Sequence, residues 1–202
     1  MSEKVDKDWE KFLNPKEIKK NLIDASLFLS FFEILNSEII ERIFDFYSNE
    51  FRDGKWIASD KYNKTIVNRK INGKTNIFLS SCQWLLDNNT ITQNDFEQIK
   101  KIKEHRNRIA HDLPKFLFDS EYVIDKDLFN QIKVLTLKIA KWWIIEVEIP
   151  TDPQFDGQEI DTEGIIPGQE MILNYIFNIA NTDIEEFERG FKKIEDKNKT
   201  IN

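Results

Sequence analysis

KKIKEHRNRIAHDLPK, Lys100 to Lys115, belongs to a helical pattern and breaks it at the same time. It carries both histidines of the 202-residue chain, and two of its arginines. Thr92 followed by Asp95 resembles a capping box and opens the helix, which is expected to stop near Asp112 because Pro114 disfavours helical backbone at Leu113. Counted at about 100° per residue from Phe96, Ile99, Ile102, Ile109 and Leu113 form an apolar stripe between about 220° and 300°. Arg106 falls at about 280°, inside that stripe.

A charge inside an apolar stripe is costly unless it is paired or solvated. Two explanations stand open for Arg106. One is an intramolecular salt bridge, with Asp24 or Glu33 of the first long helix as partner. The other is a cleft open to water, in which a guanidinium holds a phosphate and an imidazole moves a proton. Lys103, Asn107, Ala110 and His111 border the stripe, and Arg106 and His111 lie about 140° and about 7.5 Å apart on the helix. That places them on the two sides of one groove, with the small Ala110 between. His105, at about 180°, is expected to be a solvated surface histidine, and Arg108, at about 120°, an exposed charge able to touch a substrate phosphate.

Cutting RNA without a metal needs a base for the ribose 2′-hydroxyl, an acid for the leaving oxygen and a fixed cation for the phosphate. One His and one Arg per chain are too few, but an isologous two-fold dimer doubles them. An Arg-to-His spacing of this kind is common by chance, so spacing alone does not establish the chemistry.

RNRIAH, Arg106 to His111, resembles the Arg, polar residue, three more, His motif of the HEPN superfamily, and the preceding DFEQIKKIKEH is also similar to its members. The likeness covers about Leu79 to Phe118. It implies an all-α, HEPN-like helical bundle that dimerises so that paired motifs line a cleft and cut RNA with no metal or other cofactor. Such proteins include toxins of toxin–antitoxin pairs and antiviral defence proteins, which implies an antitoxin or defence-system partner. By the same resemblance Arg106 holds the scissile phosphate, Asn107 fills the polar position beside it and His111 is the general acid or base. Where the toxin branch often has Tyr two places after the His, this chain has Leu113. The stretch also resembles the mannitol repressor family, and that likeness implies a non-catalytic helical regulator or interaction module.

Outside the motif the pattern is again helical. Asn14, Pro15 and Glu17 read as a helix start, and apolar residues from Ile18 to Phe46 recur at spacings of three and four, with a break possible near Asn36 and Ser37. Further helices are expected over Ile77–Leu86, from about Asp127 to Glu148, and from about Glu170 to Lys193. Trp142 and Trp143 are adjacent, so one is expected in the core and the other outside it. The chain therefore divides into a helical domain at 1–149, an acidic linker or loop at 150–169 and a C-terminal helix at 170–202, packed on the same domain or on a dimer partner.

Between the first two helices lies FRDGKWIASDKYNKTIVNRKINGKTN, punctuated by Gly54 and Gly73 and read as a long surface connection with a short hairpin. From Arg52 to Lys74 it has seven Lys or Arg against Asp53 and Asp60, while Glu146 to Glu170 has eight acids and no base. A formal net charge of −7 thus does not exclude RNA, because a phosphate binder need only concentrate its cations locally. Lys61, Lys64, Arg69 and Lys70, mixed with Trp56 and Tyr62, are candidates to hold RNA, alongside Lys103 and Arg108 of the motif helix.

Cys82 is the only cysteine, so no intrachain disulfide is available and a reducing, cytoplasmic home is expected. No signal peptide and no membrane span are implied. With two His, one Cys, no glycine-rich phosphate loop and acids wrongly spaced for a calcium loop, neither a metal nor a nucleotide site is expected.

Overall fold

The computed structural model describes residues 3–182, and they are mostly helical. A short α1 (Glu3–Phe12) leads into Asn14, whose side chain accepts the Glu17 N–H at 3.3 Å, and Pro15 starts the next helix. That helix, α2 (Pro15–Tyr47), runs unbroken for 33 residues, about 50 Å. Asn36 and Ser37 do not interrupt it: Ser37 donates to Glu41 one turn on, so its hydroxyl stays on the helix surface and leaves the backbone ladder intact.

Two antiparallel hairpins follow. Strands β1 (Ser48–Arg52) and β2 (Lys55–Ala58) meet at Asp53-Gly54, a pair with φ of 52° and 77°. After α3 (Asp60–Tyr62) and a π-turn (Asn63–Val67), β3 (Lys70–Ile71) and β4 (Lys74–Thr75) meet at Asn72-Gly73, with φ of 51° and 78°. Asp-Gly and Asn-Gly are the dipeptides that supply two consecutive left-handed residues, as a tight hairpin turn of this hand requires.

Helix α4 (Ile77–Asp87) is capped by Asn76, and α5 (Gln93–Phe118) by the Thr92–Asp95 box, with both reciprocal bonds formed. Helix α5 does not stop at Asp112. Asp112 is non-helical (φ −116°, ψ 24°), and the helix resumes beyond it. Pro114 then stands in the first turn of the resumed piece, where its missing N–H has no partner to lose.

Asp125 caps α6 (Lys126–Trp143) by accepting the Asp127 and Leu128 N–H groups at 3.0 Å. It passes through a π-turn (Ile144–Glu148) into α7 (Ile149–Thr151). The acidic segment then leads to α8 (Gly168–Asn181). The expected extension of this helix through Ile184, Phe187 and Phe191 lies outside the described residues.

Helices α4, α5, α6 and α8 all pack against α2, which accounts for the breadth of its buried stripe: Phe28, Phe31, Phe32, Leu35, Ile39 and Ile43. Leu173 sets α8 onto this core. Trp143 is buried and stacks on Trp84 at 5.7 Å, while Trp142 is only half-buried. Burial pushes the Cys82 thiol up to about 12, so it packs as a small apolar side chain. Among the described residues no helix is long and apolar enough to cross a membrane.

Candidate functional site

The face of α5 that carries the motif lies alongside Phe32 and Glu33 of α2 and Phe78 of α4. The Arg106 Nη2 donates to Glu33 Oε1 at 2.6 Å, and the guanidinium lies over the Phe32 ring at 5.3 Å. Nη1 donates to the Asn107 side-chain oxygen at 3.4 Å, while Nε is buried without a hydrogen-bond partner among the described residues. Arg106 is thus half-buried and already paired with one of the two acids its position pointed to. The other, Asp24, pairs with Lys20 on its own helix.

One turn before Arg106, Lys103 holds its ammonium 3.9 Å over the Phe78 ring. Burial keeps this ammonium below its ordinary range, and the nearby charge of Arg106 acts in the same direction. Lys103, Arg106 and Asn107 therefore form one half-exposed cluster. His111 is exposed and makes no hydrogen bond or ring contact among the described residues. It is five residues beyond Arg106, about 7.5 Å along the axis and immediately before the kink at Asp112.

His105 is not on the surface. It is 7% exposed, edge-on to Phe28 at 4.9 Å and to Phe116 at 5.8 Å, and its Nε2 accepts the Asp125 N–H at 3.1 Å. Two things draw it inward. The apolar face extends past Ile109 because the loop before α6 closes over it, and that loop supplies an amide donor for the ring nitrogen. Burial lowers the His105 pKa, in keeping with an Nε2 that must stay unprotonated to accept.

No protein-family model, curated protein or solved structure matches this chain.

The remaining candidates are dispersed. Arg108 is exposed and lies over the Tyr122 ring at 5.7 Å, turned toward the Lys115 side of the helix. Lys61 sits over the Tyr47 ring at 5.7 Å, at the far end of α2 from its N-cap, and Lys64 and Lys70 are exposed. Arg69 is paired with Asp87 at 2.7 Å. Tyr62 is buried against Phe44 and Tyr47, so it is a core residue and offers no ring to a ligand.

Sequence reasoning passed over Phe51, which is 61% exposed beside Trp56 on the first hairpin. The signal that finds it is the Asp-Gly turn: counting outward from it pairs Phe51 with Trp56 on one face of the ribbon.

Proposed function

We propose that this chain is a metal-independent endoribonuclease of HEPN type, acting as a homodimer in the cytoplasm in stress response or phage defence. An antitoxin or defence-system protein is its expected partner. The observation that carries the reading is His111, an exposed imidazole with no partner among the described residues, on the same helix as the Arg106–Asn107 pair. His105 is committed to the core, so each protomer supplies one free imidazole.

Two copies across a two-fold axis then furnish both proton-transfer groups. One His111 takes the ribose 2′-hydroxyl proton as the 2′-oxygen attacks phosphorus, and the other protonates the departing 5′-oxygen. Arg106 offsets the charge that builds on the phosphoryl oxygens, once phosphate has displaced Glu33 from it. The products are a 2′,3′-cyclic phosphate and a 5′-hydroxyl end.

The ion pair to Glu33 favours a second reading, a non-catalytic helical regulator like the mannitol repressor family, in which Arg106 ties α5 to α2. RNA cleavage in EDTA separates the two. Wild type cuts, and His111→Ala does not while melting at the same temperature. No cleavage by wild type across structured and single-stranded RNAs leaves the regulator.

A further inference from the structure

The β1–β2 ribbon stands away from the helices. Four of the five β1 residues and three of the four β2 residues are exposed. Phe51 and Trp56 are 61% and 55% exposed, are cross-strand partners, and meet edge to face at 5.3 Å. A lone two-stranded ribbon is marginally stable, and this one is fixed at its base, where Ser59 N–H donates to Tyr47 O at 2.9 Å and Ala58 packs on the core. Among the described residues the one ring contact either of them makes is with the other. Exposed rings so placed mark an interaction surface.

Within the ribbon Glu50 and Asp53 balance Arg52 and Lys55, but over 48–75 as a whole seven Lys or Arg stand against Glu50, Asp53 and Asp60, which favours a polyanion as partner. Both arginines of the segment are paired, Arg52 with Glu50 and Arg69 with Asp87. Among the described residues the lysines Lys55, Lys64, Lys70 and Lys74 make no ion pair and lie exposed. The second hairpin carries Lys70 and Lys74 and packs beside α4. Ser80 Oγ donates to the Arg69 carbonyl at 3.3 Å, pinning the hairpin to α4, and Lys74 is four residues before Phe78, whose ring carries the Lys103 ammonium. Rings with unpaired lysines fit a single strand, because each base offers a face to stack and each phosphate a charge to meet.

We propose that the Phe51–Trp56 face of the ribbon is a stacking platform for single-stranded RNA, with Lys55, Lys70 and Lys74 holding its phosphates and leading the strand toward Lys103 and Arg106. The choice of RNA rests on the function proposed above; the platform itself requires no cleavage. It acts on affinity and not on the chemical step, so its residues are binding residues only.

The test is fluorescence anisotropy of a labelled 12-nucleotide single-stranded RNA and its matched duplex, in EDTA, on the full chain carrying His111→Ala. Trp56→Ala and Phe51→Ala each weaken single-strand binding about tenfold, and Trp9→Ala, an exposed ring on α1, changes nothing. Lys70→Ala and Lys74→Ala each reduce the slope of log affinity on log salt by about 0.7. Unchanged binding in Trp56→Ala overturns the proposal, as does duplex binding equal to single-strand binding. Trp56→Ala that breaks self-association while sparing RNA also overturns it, assigning the face to an acidic surface of a second copy. The two proposals fail separately: wild type that binds as described but never cuts removes the nuclease and keeps the platform. Cleavage with unaltered Trp56→Ala binding does the reverse.

Discussion

Arg106 and Glu33 are joined at 2.6 Å, tying α5 to α2 across 73 residues of chain. The pair is half-exposed, and such pairs contribute little, up to about 1 kcal/mol. Glu33→Gln is therefore expected to lower stability by no more than that in urea denaturation. The same change removes the carboxylate that competes with phosphate for the guanidinium, so affinity for single-stranded RNA rises. A fall in RNA affinity would show that Glu33 positions Arg106 for its ligand.

His105 sets an acid limit on the fold. Its pKa is lowered in the folded state, so between the folded value and the ordinary value of about 6.5 the unfolded chain binds more protons. The stability it contributes is complete above about pH 6.5 and is lost as pH falls through the folded value. His105→Phe is expected to abolish that slope. It also leaves the Asp125 N–H without an acceptor, at a cost of about 1–3 kcal/mol at neutral pH. The difference in melting temperature between the two proteins, followed from pH 8 to pH 5, checks this: the lowered carboxyls of Asp87 and Asp95 act at lower pH, and the Glu38 carboxyl, raised by burial, is common to both.

Tyr47 accepts the Trp84 indole N–H at 2.9 Å, with both side chains buried. Tyr47→Phe preserves the ring and removes the acceptor. The expected loss is about 1–3 kcal/mol, measured by urea denaturation, larger than for deletion of an exposed hydroxyl.

Lys11 is the one residue that α1 buries, and its ammonium donates to the Asp119 and Tyr122 carbonyls at 2.7 and 3.0 Å. Lys11→Met keeps the aliphatic stem but leaves both carbonyls unmet. We expect α1 to loosen before the rest of the fold, seen as faster chymotryptic cleavage after Trp9 and Phe12 with the main melting transition little changed.

What could be foreseen from sequence was local. The Asn14 cap, the Thr92–Asp95 box and the two glycine turns are each decided within four residues, and each forms as its residue types require. The positions that misled were decided by distant parts of the chain. A helical wheel gives the direction of His105 but not the width of the cover over it, and the amide that donates to its ring nitrogen comes from 20 residues away. Tyr62 and Trp56 look alike in a basic, aromatic segment, yet one fills a space beside Phe44 and the other stands on an unsupported ribbon. Helix α1 escaped notice because its face is sparse and the residue it buries is a lysine. Glu33 and Asp24 were equal candidates for Arg106 until Lys20 claimed Asp24.

The central position of α2 has a consequence during synthesis. Apart from α1, the helices packed on it are translated later: Arg106 follows Glu33 by 73 residues, and Gln169, which donates to buried Glu38, follows it by 131. Leu173 emerges about 126 residues after Tyr47, a delay of about 6 to 25 s at ordinary elongation rates. Through that interval Phe31, Phe32, Leu35 and Ile39 have only part of their cover, so the nascent chain presents a long apolar stripe to whatever waits at the ribosome. Helper proteins that shield such stripes are expected to raise its yield, and slowed translation before codon 173 to lower it.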